Sequence, residues 1–165
     1  MTAAPQQTES SSPSSSAETQ IVLLPPDALS NSPNPRWILE QISRHLAEPL
    51  KMNGSKQTLD NVIDAMASGH SHVWLGFDIG AGETFGCVVT EFAQFANGIR
   101  GLKIVLCGGD KGFAIGHSMR LVLDHIEKFA REQNCTLVMI EGRRGWGRVL
   151  PDYTEIWTTF EKELT

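Results

Sequence analysis

The chain has 165 residues and a formal net charge of −5, a length that favours one domain and a charge that argues against wholesale wrapping of nucleic acid. Three cysteines, an odd count without a C-x-x-C pair, predict structural thiols in a reducing compartment. The first 20 residues lack a signal-peptide pattern, and no apolar run approaches the roughly 20 residues of a membrane span. We therefore expect a cytoplasmic protein with no membrane partner and no metal.

The composition changes near Thr19. Residues 6–16 are mostly Ser, Gln, Thr and Pro, which bury too little apolar surface to offset the entropy cost of ordering. We predict a disordered leader over residues 1–19 and one folded domain over residues 20–165. An arm that orders against a partner is the alternative for the leader.

The first part of the domain predicts one strand and two helices. An apolar run over residues 21–24 indicates a short strand, which Pro25 and Pro26 close. Asn34 and Pro35 begin the first helix, and Thr58 is a favourable N-cap for the second, which Gly69 ends. The first helix carries an apolar stripe at helical spacing, consisting of Trp37, Ile38, Ile42, Leu46 and Leu50.

The middle of the chain predicts a meander of three strands. Residues 72–77 alternate, with Val73, Leu75 and Phe77 on one face. A glycine-rich turn over residues 79–82 joins them to a second strand over residues 84–90. A turn at Asn97 and Gly98 leads to a third strand over residues 102–107, which is apolar after its lysine and is expected to be central.

The last part predicts a helix, a strand, a short helix and a final strand. The strand covers residues 137–140, the short helix residues 146–150, and the final strand residues 156–160. Pro151 stops the short helix. The long helix has the strongest apolar stripe in the chain, formed by Met119, Val122, Leu123, Ile126, Phe129 and Ala130.

A glycine-rich segment over residues 110–116 separates the third meander strand from the long helix. Backbone N–H groups at a helix N-terminus lack helical partners and attract anions. The region from residue 100 to residue 150 is locally basic, with nine Lys or Arg against five Asp or Glu. A turn without a ligand is the alternative. The predicted phosphate site consists of Lys111, Gly112, Phe113, Ala114, Ile115 and Gly116.

The element order and this loop resemble the GCN5-related N-acetyltransferase (GNAT) superfamily, whose acetyl-CoA pyrophosphate loop reads Gln/Arg-x-x-Gly-x-Gly/Ala. Lys111-x-x-Ala114-x-Gly116 fits it with two departures, because lysine lacks the planar fork of arginine and alanine replaces the first glycine. The resemblance implies an α/β (α+β) fold with a mixed central sheet and helices on both faces. It also implies acetyl-CoA as the cofactor.

The family's reaction is the attack of an amine on the thioester, which asks for a base and for an acid that protonates the thiolate. The acid is commonly a tyrosine after the fifth strand, and the family pattern places Pro151 there. Tyr153, the one tyrosine of the chain, lies two residues further on and becomes the candidate acid. A packing role is its alternative. The candidate bases at strand ends are Glu91, Asp78, His72 and Glu141, for each of which a solvated side chain is the alternative.

The segment over residues 141–153 contains the run Trp146-x-Arg148-x-Leu150-x-x-Tyr153. In this it resembles the tail of acetyltransferase-like proteins that bacteriophages and prophages encode among virion genes. This resemblance implies a degenerate acetyl-CoA site in a non-catalytic component of a phage particle. Its partners would be phage structural proteins or further copies of the chain, in the host cytoplasm or the virion. An active acetyl-CoA-dependent N-acyltransferase is the alternative. Nucleic acid is expected at most at a local basic patch, and the candidate interaction patch is Arg143, Arg144, Trp146 and Arg148.

Overall fold

The computed structural model describes residues 18–53, 56–113, 116–141, 146–147 and 150–156. Five strands form one sheet in chain order, with antiparallel pairing from the first to the fourth and parallel pairing of the last two. The predicted mixed sheet is therefore confirmed. The strands are β1 (Thr19–Leu23), β2 (Ser71–Asp78), β3 (Glu83–Gln94), β4 (Arg100–Gly109) and β5 (Leu137–Ile140), and the helices are α1 (Ala28–Asn31), α2 (Pro35–Met52), α3 (Leu59–Ala67) and α4 (His117–Glu132).

Helices α2 and α3 begin at the predicted positions, and Thr58 is the predicted N-cap of α3. The Asn34 side chain accepts a hydrogen bond from the Trp37 N–H at the start of α2. Thr58 and Asn61 bond each other's backbone N–H groups at the start of α3, which is a capping box. Helix α1 was not predicted, because its four residues are too few to show a helical period.

The side chains of β2 alternate between two apolar cores, which lie on opposite faces of the sheet. Val73 and Leu75 pack towards α1, α2 and α3, whereas Trp74 packs towards α4. Successive side chains of a strand point to opposite faces, so this sheet is covered on both sides. The prediction of helices on both faces is confirmed. The α4 stripe lies in the core as predicted, with Met119, Val122, Leu123, Ile126 and Ala130 buried.

Both predicted hairpin turns are present, and each contains a glycine with positive φ. Gly82 has φ +70° and Gly98 has φ +81°, in the left-handed region that side chains disfavour. β3 is four residues longer than predicted at its C-terminal end, because residues 91–94 continue to pair with the start of β4.

The three cysteines are free thiols, in agreement with the predicted structural role. Cys87 and Cys135 are buried and Cys107 is half-buried. Burial raises the pKa of Cys107 to about 12 and raises the pKa of Cys87 as well. These two thiols are therefore protonated and poorly nucleophilic at neutral pH.

The two ends of the predicted domain are described in part. β1 begins at Thr19, one residue inside the predicted leader, while residues 1–17 lie outside the described residues. Of the predicted short helix, Trp146 and Gly147 form a helical turn in which the Leu150 N–H donates to the Trp146 oxygen at 3.0 Å. Ile156 is irregular and 84% exposed, so the predicted final strand does not begin there, and residues 157–160 lie outside the described part. No helix within the described ranges is long and apolar enough to cross a membrane.

Candidate functional site

An opening separates β4 and β5 along half of β4. The two strands pair from Gly101 with Leu137 to Ile104 with Ile140, where β5 ends, and β4 continues to Gly109. On that side, residues 105–109 of β4 face no strand in the described part of the chain. Such an edge presents backbone N–H and C=O groups to a ligand.

The opening begins at the last β4–β5 pair, Ile104 with Ile140, which we call its vertex. A β-bulge lies next to this vertex. Val89 pairs with Leu106 and Thr90 pairs with Ile104, so Val105 has no partner in β3. A bulge bends its strand and redirects the neighbouring backbone groups. Here it follows directly on the last β4–β5 pair and helps the two strands to diverge.

The predicted phosphate loop lies at the other end of the opening. β4 ends at Gly109, Gly112 has φ +88°, and Gly116 is the N-cap of α4 without a capping side chain. The first turn of α4 therefore relies on other partners for its N–H groups, which is the general requirement of an anion site. Lys111, Gly112 and Gly116 are exposed.

Phe113 has a different role from its neighbours in the loop. Its side chain is buried against β3 and β4, where a Cβ on Gly86 or Gly109 would lie within 2.6 Å or 2.5 Å of the ring. Its N–H donates to the Asp110 oxygen at 2.9 Å. Phe113 thus anchors the loop, and its own N–H is already bonded. Ala114 and Ile115 lie outside the described residues.

Helix α2 holds the start of this loop through an ion pair. Arg44 Nη2 lies 2.7 Å from Asp110 Oδ1 and 3.3 Å from the Thr84 oxygen. The Asp110 N–H donates to the Phe85 oxygen at 2.9 Å. Sequence reasoning missed Arg44, because its partner is 66 residues away and no local pattern links them.

A buried histidine continues this network. His45 Nε2 lies 2.8 Å from Thr84 Oγ1, and the Thr84 hydroxyl donates to Gln41 Oε1 at 2.6 Å. Because that proton is directed at Gln41, His45 Nε2 must be the donor to Thr84. His45 Nδ1 then faces Asp110 Oδ1 at 3.9 Å. Burial, followed by the charge of Arg44, lowers the pKa of His45, so the ring is neutral at pH 7.

Because the pKa of His45 is lowered, we expect the free energy of unfolding to depend on pH. The pKa of His45 is lowered from 6.5, so below about pH 6.5 the unfolded chain binds more protons than the folded protein and stability decreases. Urea unfolding from about pH 7.5 to about pH 5 should show a falling free energy, by at most about 1.4 kcal/mol per pH unit for this group. The lowered pKa of His72 adds in the same direction. His45→Gln should reduce the slope, and an unchanged slope would contradict the assignment.

A row of polar side chains crosses the sheet on the face of α1, α2 and α3. Ser71, Glu91 and Lys103 are successive Cα partners in β2, β3 and β4, and directly opposite residues share a face. The buried Ser71 hydroxyl donates to Glu91 Oε1 at 2.8 Å. Lys103 Nζ lies 2.7 Å from Glu141 Oε1 beyond the end of β5. The row therefore ends at the vertex of the opening.

The other two candidate bases lie elsewhere. Asp78 Oδ1 accepts from the Ala81 N–H in the β2–β3 turn, at the opposite end of β2 from Ser71. The His72 ring packs between Phe92 and Phe129, with centroids at 4.8 and 5.1 Å, and burial lowers its pKa. These contacts give Asp78 a turn-stabilising role and His72 a packing role.

Tyr153 contacts α4 near its C-terminal end. Its hydroxyl donates to Glu127 Oε1 at 3.2 Å, and burial together with this carboxylate raises its pKa. Glu127 is ten residues after the first residue of α4, which is about 15 Å along the axis. Phe129 in the next half-turn contacts Phe92, whose Cα partner is Leu102 of β4. Leu102 pairs with Val138 of β5, two residues before the last β4–β5 pair, and Tyr153 packs on the α4 face of the sheet.

The tail beyond β5 packs against the α4 side of the sheet. Trp146 and Tyr153 lie against this core and Leu150 is buried in it. Arg120 of α4 bonds Asp152 at 2.8 Å and so ties the tail down. Arg143, Arg144 and Arg148 of the predicted interaction patch lie outside the described residues.

Solved structures share this fold over most of the chain. An aminoglycoside acetyltransferase from an uncultured soil metagenomic sample has a TM-score of 0.65 at 13% identity, over 89% of this chain and 97% of its own. The ribosomal-protein-alanine N-acetyltransferase of Brucella melitensis has a TM-score of 0.59 at 14% identity, over 90% of this chain and 100% of its own. A GNAT family acetyltransferase of Staphylococcus aureus has a TM-score of 0.58 at 15% identity, over 88% of this chain and 98% of its own. This chain has the GNAT fold.

The likeness to GNAT structures concerns the fold. No protein-family model matches the chain, and no curated protein matches it in sequence. One fold can host many functions, so the fold by itself assigns no activity to this chain. The predicted GNAT-like architecture is confirmed, while the resemblance to phage-encoded proteins stays a prediction.

The GNAT fold brings some of the predicted site residues together and leaves others apart. Glu91 and Glu141 lie on either side of Lys103, at the vertex of the opening. The exposed residues of the predicted loop lie at its far end. Lys103 was missed as a site residue, although it is the one charged residue in an apolar strand run, which was the available signal.

Proposed function

We propose that this GNAT-fold protein binds an acyl-coenzyme A thioester in the β4–β5 opening and transfers the acyl group to an amine. The observation that carries the proposal is the free half of β4. It runs from a bulge beside two carboxylates to a glycine-rich loop at a helix N-terminus.

The opening suits the chemistry of coenzyme A along its length. The four residue steps from Val105 to Gly109 cover about 13 Å of extended backbone. The pantetheine arm carries amides on an extended chain, which can bond this edge as an added strand does. The phosphates would then lie at Lys111, Gly112 and the first turn of α4. The thioester would lie at the vertex.

We assign the groups that aminolysis of a thioester needs to residues on the two faces of the sheet, the carboxylates on the face of α1, α2 and α3 and Tyr153 on the α4 face. Glu91 or Glu141 accepts a proton from the amine, whose nitrogen attacks the thioester carbonyl carbon. The carbon–sulfur bond then breaks, and the departing thiolate needs a proton. Tyr153 is the proposed donor, because a tyrosine hydroxyl carries its proton at neutral pH and burial raises the pKa of Tyr153 further. Two of the structural relatives are named for amine acceptors, an aminoglycoside and the alanine of a ribosomal protein.

Calorimetric titration with acetyl-CoA tests the binding step. We expect saturable binding by the wild type and a loss of at least about tenfold in affinity for Gly116→Leu, since a tenfold change needs only about 1.4 kcal/mol. A Cβ at residue 116 would lie 3.0 Å from the Gly112 oxygen and so fill the loop. Gly80→Leu in the β2–β3 turn is the matched control and should bind as the wild type does. Absence of heat with the wild type would contradict the proposal.

A second candidate function is the predicted non-catalytic component of a phage particle, with a degenerate acetyl-CoA site. Two observations favour it. The N–H of Phe113 is already bonded within the loop, and Pro151 stands where the GNAT resemblance places a tyrosine. This candidate predicts no response to acetyl-CoA, and a defined oligomer or co-purification with phage structural proteins.

A further inference from the structure

An amine of the protein itself lies at the vertex of the opening. Lys103 precedes the last β4–β5 pair, Ile104 with Ile140, by one residue. Its neighbours Leu102 and Ile104 face the α4 core, so its side chain lies on the opposite face with Glu91. This is where the proposed function places the acyl carbonyl and the attacking amine.

The surroundings of Lys103 can take up its proton. Nζ lies 2.7 Å from Glu141 Oε1, so a direct N–H···O path leads to a carboxylate that is 65% exposed and can pass the proton to water. Glu91 is the Cα partner of Lys103 in β3 and is held by the Ser71 hydroxyl. The Lys103 side chain is 29% exposed, which leaves it accessible.

We propose that Lys103 is an internal acyl acceptor, which becomes Nζ-acylated from the bound thioester with Glu141 as the base. This inference rests on the proposed function. Glu141 first removes a proton from the ammonium group. The Nζ lone pair then forms a bond to the thioester carbonyl carbon as the carbon–sulfur bond breaks. The second proton goes to the departing thiolate, so the products are an amide, free coenzyme A and one proton released through Glu141.

Acylation would also change the site. A neutral amide cannot keep the ion pair with Glu141, so modification releases one carboxylate at the vertex and removes the cation between it and Glu91. The acylated protein therefore differs in charge at the place where an external amine would bind.

Two acetylating agents separate a directed reaction from ordinary lysine reactivity. The matched reference is Lys128 on α4, whose side chain is 74% exposed and lies 4.0 Å from Glu132. With acetic anhydride, which needs no binding site, the more exposed Lys128 should react faster than Lys103. With acetyl-CoA the order should reverse. Peptide mass spectrometry of the full chain over time measures both rates.

The variant Glu141→Gln tests the base. Because general base catalysis contributes about 10² to 10⁴ in rate, we expect acetylation of Lys103 by acetyl-CoA to fall by about 10²-fold or more, and acetylation of Lys128 to stay unchanged. Glu141→Asp should recover part of the rate.

A calorimetric titration on the same preparation distinguishes the two possible failures. Binding of acetyl-CoA without faster modification of Lys103 than of Lys128 would overturn this inference and leave the proposed function standing. Absence of binding would overturn both. A wild-type rate in Glu141→Gln would show that Glu141 is not the base.

Discussion

Replacement of Gly108 by alanine should destabilise the protein by about 3 kcal/mol or more, at the upper end of the cost of overpacking. A Cβ at residue 108 would overlap the backbone oxygen of His45 and lie 2.8 Å from Pro49 Cγ. A helix carbonyl cannot move aside without shifting α2. Urea unfolding followed by circular dichroism measures the loss.

The reason for this close approach lies in α2 itself. Pro49 stands inside the helix and has no N–H, so the His45 carbonyl lacks its helical donor. Gly108 of β4 packs directly against that oxygen. The matched control is Gly80→Ala, whose Cβ would lie at an ordinary 3.4 Å from Asp78 Oδ1, with an expected change within about 0.5 kcal/mol. Equal unfolding midpoints for the two variants would contradict this account of the α2–β4 contact.

Replacement of Tyr153 by phenylalanine should reduce kcat for acyl transfer by about 10² to 10⁴, the usual contribution of a general acid. The ring keeps its packing against the α4 core, and one hydrogen bond to Glu127 is lost. We expect stability to fall by only about 1 kcal/mol and the affinity for acetyl-CoA to remain unchanged. Release of the coenzyme A thiol, with an amine that the wild type acylates, measures the rate.

A companion variant separates catalysis from the positioning of Tyr153. Glu127→Gln keeps a hydrogen-bond acceptor for the tyrosine hydroxyl but removes the charge that, after burial, raises the pKa of Tyr153. It should therefore retain most of the rate that Tyr153→Phe loses. If Tyr153→Phe were as fast as the wild type, the tyrosine would have only a packing role.

The parts of the fold that the sequence predicted depend on local rules. Asn34 and Thr58 cap helices with side chains that reach only three residues ahead. The alternating side chains of β2 predict a strand, because Val73 and Leu75 pack in one core and Trp74 packs in the other. Such patterns are visible within a window of a few residues.

The parts that the sequence did not predict depend on contacts between distant segments. The pair of Arg44 with Asp110 joins α2 to the loop, and no feature of either sequence neighbourhood marks it. Phe113 belongs by sequence to the predicted phosphate loop, but its ring packs into the space that Gly86 and Gly109 leave on β3 and β4. The bulge at Val105 follows from the pairing register of β3 and β4, which an apolar run does not reveal.

Hydrogen exchange of the full chain, with and without acetyl-CoA, tests most directly whether a thioester lies along the free half of β4. Bonding to a ligand slows the exchange of edge N–H groups that are otherwise open to water. The proposal predicts protection confined to peptides that cover residues 105–117, with the β2–β3 turn unchanged as the internal reference. Binding that protects other segments, and leaves residues 105–109 exchanging at the rate of the free protein, would contradict it.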